Sequence, residues 1–144
     1  MTPLVRRYIK TSFVFLVAGL LIGGYIIVGE FLLHVHPPRL YITAHVHLLL
    51  VGFLLMLVMG VATWMFPRPA RDRAFYRPAL AEIVYWIMTV ATTLRALSEL
   101  LAPSVGAPIL RILIVIGGLG QLVGTALFVT NMWSRVRMPA SAAS

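Results

Sequence analysis

The sequence predicts an all-α integral membrane protein folded as a bundle of four transmembrane helices. Of its 144 residues, 60% are hydrophobic and only 11% are charged, whereas a soluble domain carries about 25% charged residues. Four apolar stretches follow one another, each long enough to cross a bilayer, which takes about 20 apolar residues. This pattern excludes a soluble protein, and we expect residues 1–144 to form a single membrane domain.

Prolines and charges set the expected limits of the four spans. Pro37 and Pro38 end the first span, because two consecutive prolines cannot continue a helix. Pro67 and Pro69 end the second in the same way, and Pro103 favours a turn after the third. The predicted spans are residues 12–33, 40–66, 78–101 and 108–133.

The basic residues indicate how the bundle is oriented. Nine of the twelve Lys and Arg residues flank the same ends of the predicted spans. They are Arg6, Arg7, Lys10, Arg68, Arg71, Arg73, Arg77, Arg135 and Arg137. The positive-inside rule therefore places both termini in the cytoplasm, most simply at a prokaryotic cytoplasmic membrane, with the turn at residues 34–39 facing outward. The net charge of +8 is interpreted as topology, with lipid as the partner and no nucleic acid.

All four histidines lie close together, at His34, His36, His45 and His47, and the chain has no cysteine. His45 and His47 are expected roughly 7–10 Å below the outer boundary, a depth at which ionisable residues indicate a functional site. At 100° per residue they point about 200° apart, so one helix cannot present both to one metal ion. His45 is expected to face the bundle interior, in line with Gly52.

A histidine above a glycine on an interior face suits a buried haem. The imidazole of His45 would supply an axial bond, and the absent side chain of Gly52 would leave room for the macrocycle. His34, in the last turn of the first span, is the first choice for a second ligand. The further choices are a histidine from another subunit and a five-coordinate iron. His47 lies on the opposite face, where it could enter a contact between chains.

Two arginines could pair with haem propionates, because guanidinium groups match carboxylates. Arg39 lies in the outer turn, and Arg95 lies near the outer end of the third span. Equally, Arg95 could pair with Glu99 four residues later, and Arg39 could reach lipid headgroups. Tight helix contacts are predicted at two small-xxx-small pairs, more often within one chain than between chains. These pairs are Gly19 with Gly23 and Gly120 with Gly124.

The stretch from Thr43 to Arg68 resembles a known helix. It begins Thr-Ala-His-Val-His and continues through Met-Gly-Val-Ala-Thr-Trp-Met-Phe-Pro-Arg, and it is similar to the second helix of haem–copper oxidase catalytic subunits, especially the nitric oxide reductase and C-type oxidase branch. Arg6-Arg7-Tyr8 before an apolar helix is similar to that family's first helix. The third and fourth spans match it only in length and polarity.

The resemblance implies that His45 is an axial ligand of a low-spin haem b in the outer half of the membrane. His47 stands where the nitric oxide reductase pattern tends to have Asn, so no ligand role carries over to it. Catalytic subunits of the family have twelve or more helices and hold their other haem and copper ligands on later ones. The resemblance therefore implies a haem-binding four-helix unit, with no catalytic residues of its own.

Three functions follow as hypotheses. The first is a small cytochrome b-like membrane protein for electron transfer, haem handling or gas sensing, with a respiratory-chain or periplasmic redox partner. It is expected to form a homo-oligomer, because four helices can barely enclose a macrocycle. The second is copper or zinc binding by His34, His36, His45 and His47. The third is a non-catalytic accessory or assembly subunit of a respiratory complex.

Overall fold

The computed structural model describes residues 1–66, 77–133 and 135, and these residues form helices and connecting turns with no strand. Four helices are long and apolar enough to cross a membrane, which confirms the predicted four-span, all-α architecture. The elements are α1 (Pro3–Phe31), α2 (Arg39–His47), a π-helical segment (Leu48–Leu55), α3 (Met56–Met65), α4 (Pro78–Val105) and α5 (Pro108–Trp133). α2, the π-helical segment and α3 follow without a break and form the second span, Arg39–Met65.

α1 begins well before the apolar stretch that predicted it. The Thr2 hydroxyl accepts a hydrogen bond from the Val5 amide at 3.5 Å, and Pro3 occupies the first turn, where its missing N–H costs nothing. At 29 residues the helix is about 43 Å long, longer than the hydrocarbon core of about 30 Å. The basic residues Arg6, Arg7 and Lys10 therefore lie within the helix.

α4 continues through Pro103 to Val105, whereas the sequence predicted an end near residue 101. A proline in the last turn breaks one hydrogen bond without forcing the rest of the helix to kink. The helix ends at Gly106, which has a left-handed φ of 66° and donates its N–H to the Ala102 carbonyl at 3.1 Å. Glycine adopts this conformation without steric cost.

The core lies between α1, the second span and α4, while α5 packs against α4. Its buried members come from all three of these spans. They are Tyr8, Phe15, Leu48, Met56, Met59, Val84, Tyr85, Met88 and Ala96. Large apolar side chains elsewhere are exposed on the helix surfaces, as expected of residues that face lipid rather than water.

Polar contacts join the bundle at its basic end. Arg7 forms a 2.9 Å ion pair with Glu82, and the Tyr8 hydroxyl donates to the Ala81 carbonyl at 3.2 Å. The Arg135 guanidinium donates to the carbonyl of Phe66 at the end of the second span. The Arg77 amide before α4 donates to the Asn131 side-chain oxygen of α5 at 3.1 Å, so the start of α1, the end of the second span, the start of α4 and the end of α5 meet at one end. The predicted basic residues Arg68, Arg71, Arg73 and Arg137 lie outside the described residues.

Both predicted small-residue pairs lie in contacts between helices of this one chain. A Cβ atom added at Gly19 would lie 2.7 Å from the Leu49 side chain, and one added at Gly124 would lie 2.7 Å from the Met88 sulfur. Such distances show that the glycines allow α1 to approach the second span, and α5 to approach α4. The prediction of intrachain packing at these pairs is confirmed.

Candidate functional site

The π-helical segment changes the register of the second span. Its hydrogen bonds reach five residues instead of four, so each turn takes more residues and faces assigned at 100° per residue no longer line up across it. A buried position recurs at every fourth residue instead. These positions are Ala44, Leu48, Gly52, Met56 and Gly60. Ala44 therefore shares the buried face with Gly52, and the half-buried His45 lies beside that face instead of on it.

His45 forms one hydrogen bond, and it reaches across to α1. Its Nδ1 lies 2.8 Å from the Gly19 carbonyl oxygen. Because a carbonyl can only accept, Nδ1 carries the proton, and in the neutral imidazole the lone pair is therefore on Nε2. A backbone carbonyl holding one ring nitrogen is a common arrangement around histidines whose other nitrogen binds a metal. The imidazole is thus oriented and has one donor atom unused.

Gly23 provides the space in which the His45 ring lies. A Cβ atom at Gly23 would be 2.6 Å from Cε1 and 2.9 Å from Nδ1 of that ring. Any larger residue would push the ring away from α1 and stretch its bond to Gly19. The sequence indicated the glycine pair only as a helix contact, and its role in seating the histidine was missed. The available signal was the four-residue spacing of Gly19 and Gly23 on a helix expected to lie next to a histidine within a span.

Because the His45 ring packs over Gly23, alanine substitutions at Gly23 and at the adjacent Gly24 should change the stability of the protein differently. Gly23→Ala should destabilise the protein by about 1–3 kcal/mol, the usual cost of overpacking, because the ring it meets is held by a hydrogen bond. Gly24→Ala should be neutral or slightly stabilising, since nothing lies within 4 Å of its added Cβ and alanine favours helix. The free energy of unfolding of both variants can be measured in mixed detergent micelles. Equal effects would contradict the packing of the His45 ring over Gly23.

The other three histidines do not form hydrogen bonds with His45 or with one another. His47 donates through Nδ1 within its own helix, 2.8 Å from the Thr43 carbonyl oxygen. His36 is exposed and lies 3.3 Å from a Glu30 carboxylate oxygen. Within the described ranges, no three residues of the His, Cys, Asp and Glu types are close enough to hold a metal ion.

His34 lies outside α1 and not in its last turn, contrary to the expectation from the sequence. The helix ends at Phe31, and His34 adopts a left-handed φ of 53°. The following Val35 amide donates back to the Gly29 carbonyl at 2.9 Å, which folds the turn back against the end of α1. The exposed His34 side chain therefore belongs to the surface turn, because the chain has already left the helical path.

The space beside Gly52 is filled, which also differs from the sequence-based expectation. A Cβ atom there would lie 2.8 Å from the Phe15 ring and 2.9 Å from its Cβ. Gly52 therefore allows α1 to pack against the second span, and the missing side chain is replaced by an aromatic ring from the neighbouring helix.

Arg95 belongs to a polar network between α4 and α5. Its Nε donates to Glu99 at 2.9 Å, and its Nη1 donates to the Gln121 side-chain oxygen at 3.2 Å. Gln121 in turn donates to the Thr92 hydroxyl at 3.1 Å. Gly118 allows this close approach, since its added Cβ would lie 3.0 Å from Nη1.

The two candidate arginines are not brought together with the histidine. Arg95 binds partners on α4 and α5, whereas His45 binds α1, on which no residue contacts Arg95 through a hydrogen bond or ion pair among the described residues. Arg39 is exposed at the first turn of α2, and its carbonyl accepts the Thr43 hydroxyl. Of the two interpretations of Arg95, the pair with Glu99 is the one present.

A comparison with curated proteins finds a relative that matches part of the chain. The chain is 34% identical over 85 residues to one subunit of the nitric oxide reductase of Stutzerimonas stutzeri, a match that covers 59% of this chain and 18% of that protein. No family model matches the chain. No solved structure matches it either. The described residues therefore contain four candidate membrane spans, and the chain is related over part of its length to a nitric oxide reductase subunit.

Proposed function

We propose that this protein binds haem b in the membrane through Nε2 of His45 and that it transfers electrons. The observation that carries the proposal is the 2.8 Å contact between Nδ1 and the Gly19 carbonyl. That contact fixes the tautomer and leaves Nε2 free, as an axial ligand requires. The partial relationship to a nitric oxide reductase subunit supports the same proposal independently.

The residues around His45 fit a ligand to haem iron, but they do not enclose a haem. The imidazole is half-buried and held by α1, so little freedom remains to be lost on binding. Phe15 fills the bundle interior beside Gly52 and excludes a cofactor there. When bound, haem supplies a one-electron redox centre, while the protein orients the ligand and limits access of water.

The proposal also assigns the orientation of the helix bundle in the membrane and the class of protein with which it exchanges electrons. We assign the end that holds Arg7, Glu82 and Arg135 to the cytoplasm, following the excess of basic residues. His45 then lies in the outer half of the bilayer, within reach of a respiratory-chain or periplasmic redox protein. The relative's name describes reduction of nitric oxide, and the proposal takes from it only the haem ligand and the redox setting.

An absorption spectrum of the purified protein tests the proposal. Expressed with ample haem supply, the wild-type protein should show a sharp Soret band and split visible bands after reduction, and chemical extraction should identify haem b. A protein that stays colourless even after haem is added would overturn the proposal. Stoichiometric copper or zinc in the same preparation would then favour the histidine-based metal site instead.

A further inference from the structure

We propose that Arg95, between α4 and α5, binds a carbonyl oxygen of a quinone dissolved in the hydrocarbon core of the membrane. A quinone of this class is a neutral ring with two carbonyl groups and an apolar tail. The site is separate from His45, whose hydrogen bond is with α1, and it goes beyond the proposed haem binding. Three features of the guanidinium group support it: an unused donor, its depth in the membrane and the charge already paired with it.

The guanidinium group of Arg95 has a donor that no described residue uses. Of its five N–H groups, Nε donates to Glu99 at 2.9 Å and Nη1 donates to Gln121 at 3.2 Å. Nη2 has no hydrogen-bond partner among the described residues. The buried side-chain atoms without a partner in that part of the chain are Thr89 Oγ1 and Glu99 Oε2. Because Nη2 is not one of them, it keeps accessible surface, in a side chain that is 20% exposed.

Neighbouring groups on α4 and α5 hold the guanidinium group in place. Gln121, which accepts from Nη1, is itself buried and donates to the Thr92 hydroxyl at 3.1 Å. A Cβ atom added at Gly117 would lie 2.7 Å from the Arg95 Cβ, and one added at Gly118 would lie 3.0 Å from Nη1. The side chain therefore lies directly against α5. Since it is already ordered, accepting a hydrogen bond from Nη2 costs little further side-chain entropy.

Arg95 lies deep within its span. It is ten residues before Val105, the last residue of α4, which is about 15 Å along the helix axis. Gln121 lies thirteen residues after Pro108, about 20 Å along α5. The hydrocarbon core is about 30 Å thick, so the guanidinium group lies inside it, away from water and from the ester groups of phospholipids. An N–H group without an acceptor is costly there, and a lipid-soluble molecule with a carbonyl oxygen would remove that cost.

The charge beside Arg95 favours a neutral acceptor over an anion. The fully buried carboxylate of Glu99 already pairs with the guanidinium group. A second carboxylate or a phosphate would add a negative charge within the hydrocarbon core, where charges are costly. A carbonyl oxygen accepts the hydrogen bond without adding charge. Quinones meet this requirement, and their apolar tail keeps them in the bilayer.

Infrared spectroscopy with a labelled quinone tests the site. The full-length protein in quinone-free lipid nanodiscs is titrated with a short-tailed benzoquinone that carries ¹³C in its carbonyl groups. The wild-type protein should bind about one quinone per chain, and the bound carbonyl should absorb at a lower frequency than in empty nanodiscs, because a hydrogen bond weakens the C=O bond. Laurate, an anion with an apolar tail, should not displace the quinone. The measurement does not need haem in the protein.

Two variants test the role of the guanidinium group. Arg95→Met combined with Glu99→Leu removes both charges at little cost in stability. It should weaken quinone binding about ten- to hundredfold, the usual contribution of a hydrogen bond to a charged group. Arg95→Lys keeps a positive charge beside Glu99 but removes Nη2, and it should also lose the shifted carbonyl band. Arg111→Met, at an exposed arginine near the start of α5, is the control and should bind as the wild type does.

The outcomes separate this site from the proposed function. Binding no greater than in empty nanodiscs overturns the quinone site, as does unchanged binding in the folded Arg95→Met, Glu99→Leu protein. Displacement by laurate at equal concentration would show an anion site instead. A colourless protein that binds the quinone overturns only the haem proposal, whereas a haem-bearing protein that does not bind it overturns only the quinone site.

Discussion

Replacing His45 with alanine should reduce the haem content of the purified protein to background while the four helices still form. The substitution removes the nitrogen proposed to bind iron, together with the hydrogen bond to the Gly19 carbonyl. A half-buried side chain shortened to alanine leaves the buried core intact, so the protein should still insert and remain helical. The measurement is the haem-to-protein ratio from the absorption spectrum, with helix content followed by circular dichroism.

His47→Ala is the matched control for that experiment. His47 is also half-buried and lies two residues after His45 on the same helix. Its ring likewise forms a hydrogen bond to a backbone carbonyl, at 2.8 Å. It differs in pointing to the opposite side of the second span. The His47→Ala protein should keep its haem and its spectrum. Equal loss of haem in both variants, or none in either, would show that His45 is not the ligand.

Arg95→Ala should lower the free energy of unfolding by about 3–5 kcal/mol, the usual cost of removing one partner from a buried ion pair. Glu99 is fully buried, and its second carboxylate oxygen has no hydrogen-bond partner among the described residues. Without Arg95, both oxygens of Glu99 would be buried and unpaired. The Gln121 side-chain oxygen would also lose the guanidinium that now donates to it.

Two further variants show whether that loss comes from the buried charge. Arg95→Met combined with Glu99→Leu should recover most of the stability, because apolar side chains replace a buried ion pair at little cost. Arg7→Ala should change stability by at most about 1 kcal/mol, since the side chains of the Arg7–Glu82 pair are 42% and 50% exposed. Unfolding in mixed micelles measures all of them. A loss as large for Arg7→Ala as for Arg95→Ala would contradict the role of burial.

Sequence alone determined the fold class and the positions of the spans. Bilayer thickness sets the length of an apolar helix, so the four stretches could be recognised without knowing their contacts. The glycine pairs were equally readable, because close helix approach in lipid depends on small residues. The same reasoning singled out His45, since an ionisable side chain within a span is unusual wherever it points.

The tertiary structure alone decided how His45 is held. Its partner is a backbone carbonyl of α1, which no side-chain pattern can reveal, and the π-helical segment places Ala44 rather than His45 in line with Gly52. A uniform turn of 100° per residue cannot anticipate a local change to five-residue hydrogen bonding. The filling of the Gly52 space by Phe15 likewise depends on how two distant helices pack, so it could be found only in the folded protein.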